Sequence, residues 1–129
     1  MRPIILSVDD ERDVTDLVRF LLTQAGCDVT TAASGRSALA AVAERRPDLI
    51  LLDLMLPDID GFGVCEILRR EPATATIPIV LLTAWATPDA RNLGLELGAL
   101  DYLTKPFRPR DLVAKVQRLL APLQAIRGA

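Results

Sequence analysis

Residues 49–53 read LILLD, four large aliphatic residues followed by a carboxylate, and they are the clearest indication of the fold class. No polar residue alternates within the run, which is typical of a strand buried on both faces of a parallel sheet. Two further runs rich in aliphatic residues, Ile4–Val8 and Ile79–Leu82, predict neighbouring buried strands. The more polar segment Cys27–Thr31 suits an edge strand, and Asp101–Leu103 predicts a short last strand.

Helical patterns alternate with these strands. Apolar residues recur at helical spacing in the segments 14–22, 38–42, 64–68 and 112–120. Thr87-Pro88 followed by an acid predicts the start of one more helix, and Ser34 is a candidate cap for the second. Pro122 falls near the predicted end of the fifth helix. Five strands alternating with five helices predict an α/β fold with a parallel sheet.

Composition excludes several kinds of chemistry. The 129 residues fit one domain, and 50% hydrophobic residues can build a full core without disulfides. The net charge of -2, without a long basic stretch, does not indicate a nucleic-acid-binding surface. The absence of histidine excludes a Ser-His-Asp triad, a Cys-His pair and a histidine-ligated zinc ion.

The apolar runs and the cysteines bear on the cellular location. No apolar run approaches the roughly 20 residues that a membrane span needs, and Asp9 and Asp10 soon interrupt the N-terminal run. Cys27 and Cys65 have neither metal-type spacing nor the pattern of a disulfide framework, so we expect buried thiols in a reducing compartment. A soluble, cytoplasmic protein is therefore expected.

Charged and hydroxyl side chains stand just past four of the predicted strands. They are Asp9 and Asp10 after the first strand, Asp53 after the third, Thr83 after the fourth and Lys105 after the fifth. Taken singly, such residues are often turn or cap residues, and Asp10 or Glu11 could cap the first helix. In open parallel sheets, however, ligands bind beyond the carboxyl ends of the strands. The sequence therefore predicts that these side chains meet at one edge.

Three carboxylates at one point favour a bound cation. Two unit charges about 4 Å apart repel by roughly 4 kcal/mol at an effective dielectric near 20. Carboxylate oxygens are ligands that suit Mg2+. A carboxylate such as Asp53 can attack phosphorus and form an acyl phosphate, while Lys105 and the Thr83 hydroxyl contact the phosphoryl oxygens. Only two of the 15 basic residues are lysines, Lys105 and Lys115, so lysine is not the default cation here.

Several motifs, taken in order, resemble the response-regulator receiver family of two-component signalling. They are Asp9-Asp10, Asp53 within LLDLMLP at 51–57, Asp60-Gly61, Thr83-Ala84 and Lys105-Pro106-Phe107. The resemblance extends from about Ile4 to Leu120. It implies a flavodoxin-like five-stranded parallel sheet in the order 2-1-3-4-5, flanked by five helices. It also implies a receiver domain at residues 1–121 and a C-terminal tail, or the start of a linker, at residues 122–129.

The same resemblance assigns roles to individual residues. Asp53 is implied to be the phosphoacceptor, assisted by Thr83 and Lys105. The implied ligands of Mg2+ are Asp10, Asp53 and the Met55 main-chain carbonyl, with Asp9 acting mostly through a water. The domain is then a signalling switch that catalyses its own phosphorylation and dephosphorylation, rather than an enzyme.

The resemblance also implies a switch pair and a phosphoryl donor. Phosphorylation is implied to draw the Thr83 hydroxyl inward, after which the Tyr102 ring turns inward behind it. The Lys105–Pro106 bond is implied to be cis. The donor would be a histidine kinase or a histidine phosphotransfer protein, which agrees with the missing histidine. No direct binding of nucleic acid or membrane by this domain is expected.

Some positions depart from the family pattern. Members with winged-helix DNA-binding domains dimerise through the face of helix four, strand five and helix five, and part of their charge pattern is present in Arg91, Glu96, Asp101 and Asp111. Lys115 and Pro122 stand where arginines are usual, so a homodimer through this face is expected to be weak at most.

Three further residues carry expectations about dynamics and lifetime. Met55 and Trp85 are bulky apolar residues expected to flank the phosphoryl group and to exclude water. Gly94, inside the predicted fourth helix, costs roughly 1 kcal/mol relative to alanine, which predicts a mobile helix.

Two alternatives stay open at this point. A Mg2+-dependent phosphatase of the haloacid dehalogenase type also uses an aspartyl nucleophile, but it usually has a second aspartate two residues later, where this chain has Met55. A degenerate receiver would bind partners independently of phosphate, although every expected site residue is present.

Overall fold

A sheet flanked by helices on both faces is seen in the computed structural model, which describes residues 2–128 apart from the side chains of Gln124 and Arg127. The strands are β1 Ile4–Val8, β2 Asp28–Ala32, β3 Leu49–Leu52, β4 Ile79–Thr83 and β5 Asp101–Thr104. The helices are α1 Arg12–Gln24, α2 Gly35–Glu44, α3 Gly61–Arg70, α4 Pro88–Glu96 and α5 Pro109–Gly128. All pairs are parallel and the order is β2-β1-β3-β4-β5, so the predicted fold class and strand order are confirmed.

The aliphatic run at residues 49–52 lies at the centre of this sheet. β3 pairs with β1 on one side and with β4 on the other, and its side chains are all buried. Ile50 and Leu52 pack into the core that α2, α3 and α4 cover, whereas Leu49 and Leu51 pack into the core that α1 and α5 cover. Burying each such side chain stabilises the fold by about 1.5–3 kcal/mol, which explains why an unbroken apolar run becomes the central strand.

The predicted helix starts are confirmed for α2 and α4. The Ser34 hydroxyl accepts a hydrogen bond from the Ser37 amide at 3.1 Å, and the Thr87 hydroxyl accepts one from the Ala90 amide at 3.2 Å. Glu11 is the residue before α1, but its side chain makes no capping bond to that helix. Glu11 was one of two candidate caps for the first helix, and its side chain does not cap it.

Element boundaries differ from the prediction at a few ends. β2 is shifted by one residue, and β4 and β5 extend to Thr83 and Thr104. The prediction that α5 ends near Pro122 is wrong, because the helix continues to Gly128. Leu123 packs against the core on the α1 side, and this contact stabilises the helix although proline lacks the N–H for one helical bond. The domain boundary at residue 121 stays a prediction.

Both cysteines are free and buried, as predicted. Burial raises the pKa of the Cys65 thiol to about 12 and also raises the pKa of Cys27. Among the described residues, none of the helices is long and apolar enough to cross a membrane.

Candidate functional site

The parallel register brings the predicted strand-end residues to one edge of the sheet. The Asp9 amide donates to the Ala32 carbonyl at 3.0 Å, and the Asp53 amide donates to the Val8 carbonyl at 3.0 Å. The Lys105 amide donates to the Thr83 carbonyl at 2.9 Å. These bonds continue the sheet past the strand ends, so the backbone of each site residue is fixed by the sheet itself.

Asp9, Asp10 and Asp53 form a carboxylate cluster, called the acidic cluster below. One oxygen atom from each residue lies within 4.8 Å of the others. Asp9 and Asp53 are only 3% and 4% exposed, whereas Asp10 faces solvent. The structure therefore brings together the three predicted carboxylates and leaves one side of the cluster accessible.

Lys105 is the counter-charge of this cluster. Its Nζ lies 3.0 Å from Asp53 Oδ2 and 2.6 Å from Asp9 Oδ2. Burial alone would lower the pKa of Lys105, but its contacts with Asp9 and Asp53 outweigh burial and raise the pKa. Glu11 Oε1 also lies 3.2 Å from the Nζ. That contact cannot be predicted from local sequence patterns, because the two residues come from opposite ends of the chain.

Hydrogen bonds orient the Asp53 carboxylate. Oδ1 accepts from the Met55 amide at 3.2 Å, and Oδ2 accepts from Lys105 Nζ at 3.0 Å. The bond to Met55 also folds the first residues of the following loop back toward the carboxylate. Asp53 is thus held by its own loop on one side and by Lys105, the residue after β5, on the other.

The acidic cluster fits a divalent cation. Asp9 Oδ2 is buried and, within the described part of the chain, has no hydrogen-bond partner, although Lys105 lies close as an ion pair. Burial raises the pKa of Asp9, and the nearby Asp53 charge raises it further, while Lys105 and the Glu11 amide lower it. Three carboxylates facing one ammonium group leave a surplus of negative charge. A small hard cation would neutralise that surplus, and the solvent-facing Asp10 carboxylate is accessible to it as a ligand.

The predicted switch residues, Thr83 and Tyr102, both form a hydrogen bond with the backbone of Trp85. Thr83 is fully buried, and its hydroxyl accepts from the Trp85 amide at 3.2 Å. Tyr102 is also buried, and its hydroxyl donates to the Trp85 carbonyl. The Arg91 guanidinium lies over the Tyr102 ring, 5.8 Å from its centroid. The ring already occupies the inward position that was expected to follow phosphorylation.

Met55 and Trp85 both reach solvent beside the site. Their exposed fractions are 62% and 42%, which leaves large apolar surfaces near the strand ends. Trp85 packs edge-on against Phe62, with ring centroids 5.6 Å apart. The Trp85 side chain therefore has a packing partner as well as a position near Thr83.

Charges on the face of α4, β5 and α5 pair within the chain. Asp101 Oδ2 accepts from Lys115 Nζ and from Arg118, each at 3.0 Å. Burial would raise the pKa of Asp101, but the Tyr102 amide and these cations lower it. No sequence pattern distinguishes Arg118 from the other arginines of the chain, so its bond to Asp101 is visible only in the structure.

The Lys105–Pro106 peptide bond is cis, as the resemblance implies.

Comparison with known proteins agrees with this geometry. The family model described as the response regulator receiver domain matches residues 5–117. The chain is 47% identical over 118 residues to the DNA-binding dual master transcriptional regulator RpaA of a Synechocystis strain, covering 92% of this chain and 49% of that protein. It is 46% identical over 120 residues to the alkaline phosphatase synthesis regulatory protein PhoP of Bacillus subtilis, covering 93% of this chain and 49% of that protein.

Solved structures show the same relationship. The chemotaxis protein CheY4 of Vibrio cholerae superposes with a TM-score of 0.88 at 35% identity, covering 93% of this chain and 100% of that chain. The beryllofluoride-activated receiver domain of RstA from Klebsiella pneumoniae gives 0.84 at 37% identity, covering 91% and 97% of the two chains. The chain spans about half the length of the transcriptional regulators that it matches. It belongs to the response regulator receiver domain family.

Proposed function

We propose that this receiver domain accepts a phosphoryl group on Asp53 from a histidine kinase or a histidine phosphotransfer protein. The observation that carries the proposal is the buried Asp53 carboxylate, held between Lys105 and the other two acids of the acidic cluster. Phosphorylation then acts as a switch in two-component signalling. The domain catalyses its own phosphorylation and dephosphorylation and does not turn over a separate substrate.

Asp10, Asp53 and the Met55 carbonyl are proposed to hold Mg2+, with Asp9 acting through a water. When bound, Mg2+ neutralises charge on the phosphoryl oxygens. The charge of the acidic cluster and the exposure of Asp10 support this assignment, because Lys105 balances only one of the three carboxylates and Asp10 is accessible from solvent.

In the transfer step, an oxygen of the Asp53 carboxylate attacks the phosphorus atom of a phosphohistidine on the donor. The new P–O bond forms as the P–N bond breaks, and the electron pair stays on the donor's imidazole nitrogen. Lys105 moves its contact from the carboxylate to a phosphoryl oxygen, and the Thr83 hydroxyl donates to another. Such positioning and charge stabilisation supply most of the catalysis in phosphoryl transfer.

The switch is proposed to act through Thr83 and Tyr102. In this structure the Thr83 hydroxyl oxygen accepts a hydrogen bond from the Trp85 amide. When the Thr83 hydroxyl donates to the phosphoryl group, that oxygen moves relative to the Trp85 amide. Since the Tyr102 hydroxyl bonds the carbonyl of the same residue, the two contacts are coupled through Trp85. Phosphorylation would then raise the population of the inward ring position rather than create it.

Wider assignments rest on the family and on composition. We propose a cytoplasmic domain, because both thiols are free and buried. A homodimer through α4, β5 and α5 is proposed to be weak, since Asp101 already pairs with Lys115 and Arg118 of its own chain. Direct binding of nucleic acid by residues 1–121 is not proposed, and residues 122–129 are proposed as a tail or the start of a linker.

The test is intact-mass spectrometry after incubation with acetyl phosphate and Mg2+. One phosphoryl group should add to the parent protein and to an Asp13→Asn control, which removes an exposed acid of α1. Asp53→Asn should remain unmodified. Equal labelling of Asp53→Asn and the parent would overturn the assignment, and labelling of neither protein would favour a degenerate receiver. Continued release of inorganic phosphate from a small phosphate ester would favour the phosphatase alternative.

A further inference from the structure

Asp58 joins the loop after β3 to the first turn of α2. This loop, residues 53–60, is called the β3–α3 loop below. Asp58 Oδ1 accepts hydrogen bonds from the Gly35 amide at 3.0 Å and from the Arg36 amide at 3.3 Å. It also accepts from the amide of Ile59, the next residue in the loop. One carboxylate oxygen therefore binds a helix that lies 23 residues earlier in the chain.

The start of α2 needs this partner even though it has its own cap. The Ser34 hydroxyl accepts from the Ser37 amide, and the Ser37 hydroxyl in turn accepts from the Ser34 amide. That reciprocal pair leaves the Gly35 and Arg36 amides without an acceptor from within the helix. Asp58 satisfies both, and its negative charge suits the positive end of the helix dipole. Hydrogen bonds to Ile59, Arg36 and Gly35 lower the pKa of Asp58, so it is a carboxylate at neutral pH.

The backbone conformation of Asp58 fits this arrangement of hydrogen bonds. Its φ of +64° places it in the left-handed region, and within residues 2–128 it is the only residue besides glycines to do so. Aspartate tolerates this conformation better than most residues. The conformation aims the carboxylate back across the loop, so the turn and the bonds to α2 form together.

The contact between the loop and α2 also involves the backbone directly. A Cβ atom added to Gly35 would lie 2.2 Å from the Ile59 carbonyl oxygen, which is far too close for any side chain. Glycine at this position therefore lets the loop lie directly on the helix. The hydrogen bonds of Asp58 and the close approach at Gly35 hold the same few residues from two sides.

The other end of the β3–α3 loop is fixed near Asp53. The Gly61 amide donates to the Leu54 carbonyl at 3.0 Å, and a Cβ at Gly61 would lie 2.5 Å from the Asp53 carbonyl oxygen. Met55, whose carbonyl is a proposed Mg2+ ligand, lies between this contact and Asp58. The loop that supplies the ligand is thus anchored before and after it.

We propose that Asp58 is a positioning residue for the metal site: by binding the start of α2, it sets the path of the β3–α3 loop and hence the place of the Met55 carbonyl. This inference rests on the proposed function, because it concerns the proposed Mg2+ ligand. It makes α2 a helix through which metal affinity can be altered, although none of its side chains belongs to the acidic cluster.

The experiment compares Asp58→Gly with Asp58→Asn by Mg2+ titration calorimetry on the 129-residue chain. Both variants remove the charge and tolerate the left-handed backbone, but only asparagine keeps an acceptor oxygen for Gly35 and Arg36. Asp58→Gly should bind Mg2+ about tenfold more weakly, in line with losses seen when the supports of metal ligands are removed. Asp58→Asn should stay close to the parent value.

Gly35→Ala tests the same contact from the helix side. The added methyl group must displace the Ile59 carbonyl, although the variant still has the Asp58 side chain. It should also weaken Mg2+ binding. Amide exchange in the metal-free protein should accelerate at Gly35 and Arg36 in Asp58→Gly and not in Asp58→Asn.

The outcomes separate this proposal from the proposed function. If Asp58→Gly speeds amide exchange in α2 but binds Mg2+ like the parent, Asp58 is only a helix cap and the proposal is overturned, while the proposed function stands. If Asp58→Asn loses as much affinity as Asp58→Gly, charge rather than hydrogen bonding is responsible, and the proposal is again overturned. If the parent itself binds no Mg2+, the proposed function falls and the inference falls with it.

Discussion

The two loops on either side of Asp53 are held in different ways. The β3–α3 loop is tied to α2 by Asp58 and approaches Gly35 and Gly61 at distances that only glycine allows. The loop between β4 and α4, residues 84–87, is exposed throughout. Its contacts to the sheet run through Trp85, whose amide bonds Thr83 and whose carbonyl bonds Tyr102.

This difference matches two different tasks. A metal ligand must stay in place before the ion arrives, because preorganised ligands avoid the free-energy cost of rearrangement on binding. A switch needs an element with two arrangements that a ligand can bias. The β3–α3 loop suits the first task, and the loop of residues 84–87 suits the second, since its contacts depend on the Thr83 hydroxyl that phosphorylation is proposed to recruit.

The largest expected effect concerns the metal side of the site. Asp10→Ala removes the exposed carboxylate of the acidic cluster and a proposed direct ligand, so Mg2+ affinity should fall about 100-fold, at the upper end of losses seen around metal sites. The fluorescence of Trp85, the single tryptophan, measures the titration. Asp13→Asn is the control for the lost charge. An unchanged titration curve for Asp10→Ala would remove Asp10 from the ligand set.

The next effect concerns the two side chains that reach solvent, one from each loop. Met55 and Trp85 have no group that can orient or deprotonate a hydrolytic water, so replacing both with polar residues should shorten the life of phospho-Asp53. Met55→Asn with Trp85→Glu should speed dephosphorylation about tenfold, which is less than the roughly 100-fold or more that a well-positioned general base contributes. Decay is followed by mass spectrometry in excess Mg2+ after the donor is removed. Decay at the parent rate or slower would contradict the shielding argument.

A smaller effect tests whether α4 itself is loose. Gly94 is buried, and a Cβ there would lie 2.3 Å from Leu81 Cδ1, so glycine lets α4 approach β4 closely. Gly94→Ala should gain helix propensity but lose more through overpacking, for a net loss of about 1 kcal/mol in the free energy of unfolding. Urea unfolding measures it. A stabilised variant would support the sequence prediction that Gly94 marks a weak helix and would place the mobile element in α4 rather than in residues 84–87.

The sequence predicted the elements whose causes are local or periodic. The unbroken aliphatic run of β3 and the parallel alternation were enough to predict that Asp9, Asp53 and Lys105 meet at one edge. Contacts between distant residues with ordinary local patterns could not be predicted. Pro57-Asp58 reads only as a turn signal, and nothing local indicates that its acceptor binds α2. The length of α5 beyond Pro122 likewise depends on where Leu123 packs, which no periodicity specifies.

The smallest effect is expected at Cys65 in the core, where the rate of alkylation should not change on activation. Burial raises the pKa of Cys65 to about 12, so the thiol is almost entirely protonated at pH 8 and alkylation of the folded protein should be very slow. Mg2+ and beryllofluoride should leave this rate unchanged, because the proposed switch involves a loop and not the α3 core. Mass spectrometry measures the rate of alkylation. Faster alkylation with beryllofluoride would mean that the switch opens the core around α3.

The most direct test of the contrast between the loops is amide hydrogen exchange with and without Mg2+ and beryllofluoride, which mimics the phosphoryl group on Asp53. We predict a clear change in exchange at residues 84–87 and at the start of α4, while the amides of Gly35, Arg36 and Ile59 keep their Mg2+-bound rates. Thr83→Ala should remove the change at residues 84–87. Identical exchange in residues 84–87 with and without the mimic, or a larger change at the Asp58 contact than at Trp85, would contradict the account.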